Sequence, residues 1–80
     1  VGGWSNTEIT SDVQEAAEFV VSRMNNASPL EEVLSAKKQV VKGFNYELTF
    51  TLENNSIWTA QVHRDLDGNF SLLEEAIQKD

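Results

Sequence analysis

The residues whose types could support catalysis are the one histidine, His63, and two carboxylate pairs, Glu31-Glu32 and Glu74-Glu75. As a general base, His63 would need an orienting carboxylate and a nucleophile. As a metal ligand, it would need histidine or cysteine companions, and the chain has none. Both carboxylate pairs fall at the edges of predicted elements, where a solvated charge run is a simpler interpretation than an acid/base dyad. We therefore expect no enzyme, no cofactor and no metal site.

Composition excludes further classes of function. The chain has no cysteine, which rules out disulfides and thiolate chemistry, and it has no glycine-rich phosphate loop, P-loop or EF-hand spacing. A net charge of −7 opposes binding to nucleic acid and to anionic membranes. The longest apolar run, Phe19-Val20-Val21, is far shorter than the ~20 residues that span a bilayer. A neutral or basic protein partner fits these properties better.

A chain of 80 residues predicts a single domain over residues 1–80, because so small a chain has only one core. The compartment stays open. Asn-x-Ser sequons at Asn26, Asn54 and Asn69, with the Val1-Gly2-Gly3 start, would suit a secreted form.

One amphipathic helix is predicted near the N-terminus. Ser11 and Gln14 have the spacing of a capping box. An apolar stripe at helical spacing follows, formed by Val13, Ala16, Ala17, Val20, Val21 and Met24. Asn25-Asn26 is the expected stop, with Pro29 shortly beyond it. Residues 1–8 show no periodicity and contain two glycines, which predicts a mobile strip.

Four strands are predicted after the helix. Residues 33–41 alternate weakly, which predicts an irregular or bulged strand. Residues 44–53 alternate cleanly between apolar and polar side chains and form the central strand. A turn at Asn54-Asn55 leads to a third strand over residues 58–63, and Phe70 and Leu72 open the last strand. The charged segment from Glu74 to Asp80 is expected to fray.

This order predicts an α+β fold with one helix packed across a four-stranded antiparallel sheet. In such a sheet, the first and third hairpin tips emerge at the same end, and the Asn54-Asn55 turn lies at the opposite end. The first tip is Gln39-Val40-Val41-Lys42-Gly43, which presents two valines. The third is Asp65-Leu66-Asp67-Gly68, where Asp67-Gly68 indicates a type I′ turn with positive φ at both residues. An apolar tip beside a glycine-containing strip indicates a docking surface.

Gln39-Val40-Val41-Lys42-Gly43 resembles the Gln-Val-Val-Ala-Gly loop of the cystatin superfamily, with Lys42 in place of alanine. Phe44-Asn45-Tyr46 resembles the strand that commonly follows that loop, and Gly2-Gly3 resembles the N-terminal glycine position. The resemblance covers nearly the whole chain in element order.

The resemblance implies a reversible tight-binding inhibitor of papain-like, cathepsin-like cysteine proteases. In cystatins the N-terminal strip and two hairpin loops form a wedge that covers the catalytic cleft without being cleaved. Carried onto this chain, the wedge comprises the strip Gly2, Gly3 and Trp4, the first loop Gln39, Val40, Val41, Lys42 and Gly43, and the second loop Leu66, Asp67 and Gly68. Leu66-Asp67 departs from the Pro-Trp of many cystatins, and Leu66-Asp67-Gly68 is closer to the Leu-Pro-Gly of the cysteine-free stefins.

Two other classes remain open. One is a cystatin-fold module of a larger protein that has a binding or structural role and does not inhibit a protease. The other is a small hydrolase or ligand carrier, which would need a pocket lined by His63 or Tyr46. The resemblance also implies a monomer that can form domain-swapped dimers if a hairpin strained at Val40-Val41 opens.

Overall fold

The computed structural model describes residues 2–25 and 28–79, which form one helix packed across a five-stranded antiparallel sheet. The elements are β1 (Trp4–Thr7), α1 (Ser11–Ser22), β2 (Leu30–Val41), β3 (Gly43–Leu52), β4 (Ile57–Arg64) and β5 (Phe70–Lys79). The strands lie in the sheet in chain order, and each pairs antiparallel with its neighbours. The predicted α+β class and the single helix are confirmed, with one strand more than expected.

The additional strand is β1, within the segment that we expected to be a mobile strip. Trp4 pairs with Gln39, and the pairing continues to Thr7 opposite Ala36. The sequence gives no strand signal here because Trp4-Ser5-Asn6-Thr7 is largely polar and exposed, and backbone hydrogen bonds to the free edge of β2 hold the strand. Val1 lies outside the described residues.

The helix begins one residue earlier than the capping box suggested. Thr10 is the N-cap: its backbone is extended, and its hydroxyl accepts a hydrogen bond from the Val13 amide at 3.3 Å. Ser11 is instead the first helical residue. Two hydroxyl residues stand side by side at this point, so spacing alone could not decide which of them caps the helix.

The helix also ends earlier than predicted, at Ser22 rather than at Asn25-Asn26. Arg23 follows as the C-cap, and its amide donates to the Val20 carbonyl at 3.0 Å. Asn26, which was part of the predicted stop and heads the first sequon, lies outside the described residues.

The core lies between α1 and one face of the sheet. Alternate residues of β3 point into it, and Leu48 and Phe50 are completely buried. The buried set consists of Val13, Ala16, Ala17, Val20, Val33, Ala36, Tyr46, Leu48, Phe50, Leu52, Ala60 and Val62. The predicted helical stripe is confirmed at its first four positions, whereas Val21 and Met24 are only partly buried. The small alanines let the helix approach the sheet closely.

The outer strands differ in extent from the predictions. β2 begins at Leu30, and its pairing with β3 shifts register twice, which confirms an irregular strand. β5 does not fray from Glu74: it stays paired with β4 as far as Lys79, opposite Ile57. Two shifts in the β4 and β5 register let this charged segment follow the sheet. Asp80 lies outside the described residues.

The chain order of the strands places both predicted tips at one end of the sheet. The β2 and β3 reversal at Lys42 and the β4 and β5 reversal at 65–69 share that end, and Asn54-Asn55 lies at the other. Among the described residues, no helix has the length and apolar character needed to cross a membrane.

Candidate functional site

We call the end of the sheet that carries the strip Gly2–Trp4, the first hairpin Gln39–Gly43 and the second hairpin Leu66–Gly68 the loop edge. Each segment is held to a neighbour by contacts that can be traced atom by atom. All three segments of the predicted site therefore meet at this edge.

The N-terminal strip is bound to the first hairpin. The Gly2 amide donates to the Val40 carbonyl at 3.3 Å, and the Gln39 side-chain amide donates to the Gly2 carbonyl at 3.0 Å. Trp4 faces Gln39 in the first register pair of β1 and β2. The strip thus follows the outer edge of the first hairpin.

The first hairpin reverses direction within a single residue. The predicted five-residue turn is wrong in extent, because Gln39 to Val41 belong to β2 and only Lys42 lies between the paired Val41 and Gly43. Gly43 has a φ of +99°, a conformation that glycine adopts without a steric penalty. Both valines keep a negative φ, so the left-handed conformation at this tip is at Gly43 and not at Val40-Val41.

Gly43 of the first hairpin lies against Arg64 and Asp65, which lead into the second hairpin. A Cβ atom added there would lie 2.3 Å from the Arg64 carbonyl oxygen and 3.1 Å from Asp65 Cα. This close approach follows from the pairing of Phe44 with Arg64 across β3 and β4. The absence of a side chain at Gly43 therefore sets the spacing of the two tips.

The second hairpin is a turn closed by Asp65. The Gly68 amide donates to the Asp65 carbonyl at 3.0 Å, and the Asp65 carboxylate accepts from the amides of Asp67 and Asn69 at 2.9 Å each. The predicted type I′ turn is wrong: Gly68 has a φ of +90°, but Asp67 does not have a positive φ. The Asp65 carboxylate favours this longer turn, which has one left-handed glycine, because it accepts hydrogen bonds from two backbone amides of the turn.

These hydrogen bonds lower the pKa of the Asp65 carboxyl below its usual value of 3.8, with the Asn69 amide as the largest cause. Because the pKa of the Asp65 carboxyl is lower in the folded state, its ionised form stabilises the folded state. This stabilisation is present at a pH above the pKa of the unfolded state and is lost as the pH falls through the pKa of the folded state. We predict that Asp65→Asn lowers the free energy of unfolding at pH 7 and that the difference from wild type shrinks below about pH 4. Denaturant unfolding at several pH values measures this, and a difference that does not vary with pH would refute it.

The loop edge exposes apolar side chains from each segment. Trp4 is 41% exposed, Val40 is 56% exposed and Leu66 is 73% exposed. Val41 is half-buried, whereas Lys42 and Asp67 are exposed and place opposite charges on the two tips. Apolar side chains grouped at one edge with few charges are typical of a protein-binding surface.

Arg64, the last residue of β4, is a supporting residue that sequence reasoning missed. Its guanidinium lies 3.9 Å from the Asp12 carboxylate of the helix and over the Phe70 ring at 6.0 Å. The pKa of the Tyr46 phenol beneath the loop edge is raised. Burial is the largest cause and the charge of Asp12 adds to it, whereas the charge of Arg64 partly opposes the rise. Only the strand register places Arg64 there, and no motif marks it.

The residues considered for catalysis are not brought together. His63 lies on the sheet face away from the helix, where its Nδ1 is 2.8 Å from Asn45 Oδ1. A groove of about 490 Å³ between the end of α1 and strands β4 and β5 is lined by residues that include Arg23, Trp58 and Ala76, but by neither His63 nor Tyr46. No group of three or more potential metal ligands occurs in the part of the chain that the structure describes.

Comparison with protein families gives one result. A family model described as the Cystatin domain matches residues 2–76, which is nearly the whole chain. Comparison with curated proteins and with solved structures yields no significant match.

Proposed function

The chain belongs to the cystatin family, whose members are inhibitors rather than enzymes, and we propose that it is a reversible tight-binding inhibitor of papain-like cysteine proteases. The loop edge would enter the catalytic cleft of the protease and cover the catalytic cysteine and histidine. The observation that carries the proposal is the meeting of strip, first hairpin and second hairpin at one edge, each with an exposed apolar side chain: Trp4, Val40 and Leu66.

The geometry suits inhibition by occlusion. Backbone hydrogen bonds and the Gly43 contact hold the segments before any partner arrives, so little conformational entropy is lost on docking. Apolar tips are also desolvated at small cost. A standard interface of about 800 Å² per partner would use about one sixth of the 5014 Å² accessible surface of the domain. That area requires all three segments to be engaged together.

Charge favours particular partners. The domain carries a net charge of −7, whereas the first tip presents Lys42. A protease with a basic cleft rim would be attracted by the whole domain, and Asp67 at the second tip would select against an acidic rim. Association should therefore slow as ionic strength rises.

A binding module without inhibitory activity is the second candidate, favoured by the acidic Asp67 and by Lys42 at the tips. Its partner would bind the loop edge, which would not need to fit a protease cleft.

Domain-swapped dimerisation through the first hairpin is compatible with both candidate functions. A single monomer peak in size-exclusion chromatography after heating would count against it.

Titration of active papain with the domain tests the inhibitory proposal, with the remaining protease activity measured as the rate of hydrolysis of a small substrate. We predict stoichiometric inhibition by the full chain and inhibition weakened about tenfold or more when residues 1–3 are removed, because the strip contributes part of the interface. An absence of inhibition at micromolar concentration, with the domain folded by circular dichroism, would overturn the proposal and favour the non-inhibitory module.

A further inference from the structure

A row of polar side chains crosses three strands, β2, β3 and β4, directly behind the loop edge. The Gln39 side chain contacts the Gly2 carbonyl, Asn45 contacts Gln39 at 3.0 Å, and His63 contacts Asn45 at 2.8 Å. Gln39 pairs with Asn45 across β2 and β3, and Asn45 pairs with His63 across β3 and β4. The row therefore follows the register of the sheet, on the face away from α1. We call these three side chains the polar row.

The direction of every hydrogen bond in the polar row follows from its outer end. The Gly2 carbonyl can only accept, so Gln39 must present its NH₂ group to it and keep its oxygen for Asn45. Asn45 then donates its own NH₂ to Gln39 and presents its oxygen to His63. The Nδ1 atom of His63 is therefore a donor. One backbone carbonyl thus fixes the orientation of two amides and one imidazole.

We infer that Asn45 and His63 are positioning residues which, through Gln39, hold the N-terminal strip at the loop edge. Among the described residues, Gly2 and Gly3 have two hydrogen bonds to the rest of the chain: the backbone hydrogen bond from Gly2 to Val40 and the one from the Gln39 side chain to Gly2. Gln39 alone could rotate freely in solvent. Asn45 removes that freedom by donating to the Gln39 oxygen, and His63 in turn holds the Asn45 side chain, which lowers the entropy cost of holding Gly2.

The direction of the hydrogen bonds predicts the tautomer of the neutral His63 imidazole, which an exposed histidine without these partners would not be held to. Neutral His63 must carry its proton on Nδ1 and leave Nε2 unprotonated. Nitrogen chemical shifts of the imidazole at a pH where the ring is neutral report the tautomer directly. A ring protonated predominantly on Nε2 would overturn the direction of the row.

The positioning role is tested with Asn45→Ala, which removes both contacts of Asn45 at once. Thr49→Ala is the matched control. Thr49 lies on β3 and on the same sheet face as Asn45, four residues further along the strand. We expect the backbone order parameter of the Gly3 amide to fall from about 0.85 toward 0.6 or lower in Asn45→Ala. In Thr49→Ala it should stay at the wild-type value. An unchanged Gly3 amide in Asn45→Ala would overturn the inference, whether or not the domain inhibits a protease.

The functional consequence rests on the proposed inhibition and is measured with papain in a double-mutant cycle. Asn45→Ala should weaken inhibition about three- to tenfold in the full chain and should have no effect once residues 1–3 are removed. An equal loss in both backgrounds would show that Asn45 acts on the fold in general, and would overturn the positioning role. Should the domain not inhibit papain at all, the order parameter and the tautomer still decide the inference.

Discussion

Gly43→Ala is expected to destabilise the domain and to weaken protease inhibition together. The added methyl would lie 2.3 Å from the Arg64 carbonyl oxygen, and alanine is strained at a φ of +99°. Backbone strain and overpacking of this kind cost about 2–5 kcal/mol in total. For a domain of 60 to 100 residues this corresponds to a melting temperature lower by about 10 °C or more. The two tips would also have to separate, which spoils a surface that both hairpins share.

The matched control for Gly43→Ala is Gly3→Ala. A Cβ atom at Gly3 would meet nothing within 4 Å, and Gly3 does not have a positive φ. We expect its free energy of unfolding to change by no more than about 0.5 kcal/mol. Thermal unfolding of both variants measures the contrast, and a Gly43→Ala variant that melts like wild type would contradict the proposed contact between the hairpins.

Val41→Asp is expected to abolish most of the inhibition while the domain stays folded. Val41 is the last residue of β2 and is half-buried beside the tip. A carboxylate placed there would become buried and unpaired when the loop edge enters an apolar cleft, at a cost of about 2 kcal/mol or more. Inhibition of papain should therefore weaken about 30-fold or more, measured as an inhibition constant.

Leu34→Asp separates this local effect from a change in overall charge. It adds the same single negative charge and replaces an apolar residue on the same strand, where Leu34 is 47% exposed. The site lies roughly 20 Å along β2 from Val41. Inhibition should stay within about twofold of wild type. Similar losses in both variants would mean that charge, and not the tip, governs binding.

Much of the fold could be predicted because its central elements have strong patterns. The strict alternation from Phe44 to Glu53 and the apolar stripe of α1 from Val13 to Val20 specify which faces are buried. The strand β1 could not be predicted, because Ser5 and Asn6 carry no apolar periodicity and their pairing depends on an edge that exists only after β2 has folded. Long-range pairing of this kind leaves no local signal.

The position of the candidate segments at one end of the sheet could be predicted, but their contacts could not. The tips were found because Gly43 and Gly68 mark reversals, and strand order then brings them to one end. The role of Asp65 as acceptor in the second hairpin was missed, because Asp67-Gly68 gives the stronger local turn signal. Arg64 and the polar row were missed as well, since cross-strand register decides which side chains meet.

The central claim is that strip, first hairpin and second hairpin enter a protease cleft together. The most direct measurement is an amide NMR map of the isotopically labelled domain, titrated with papain whose catalytic cysteine carries a small blocking group. The account predicts perturbed amides at Gly3, Trp4, 40–43 and 66–68, with the Asn54-Asn55 turn at the opposite end unchanged. Perturbations centred on that turn or on α1, or none at concentrations near the protease's own, would contradict it.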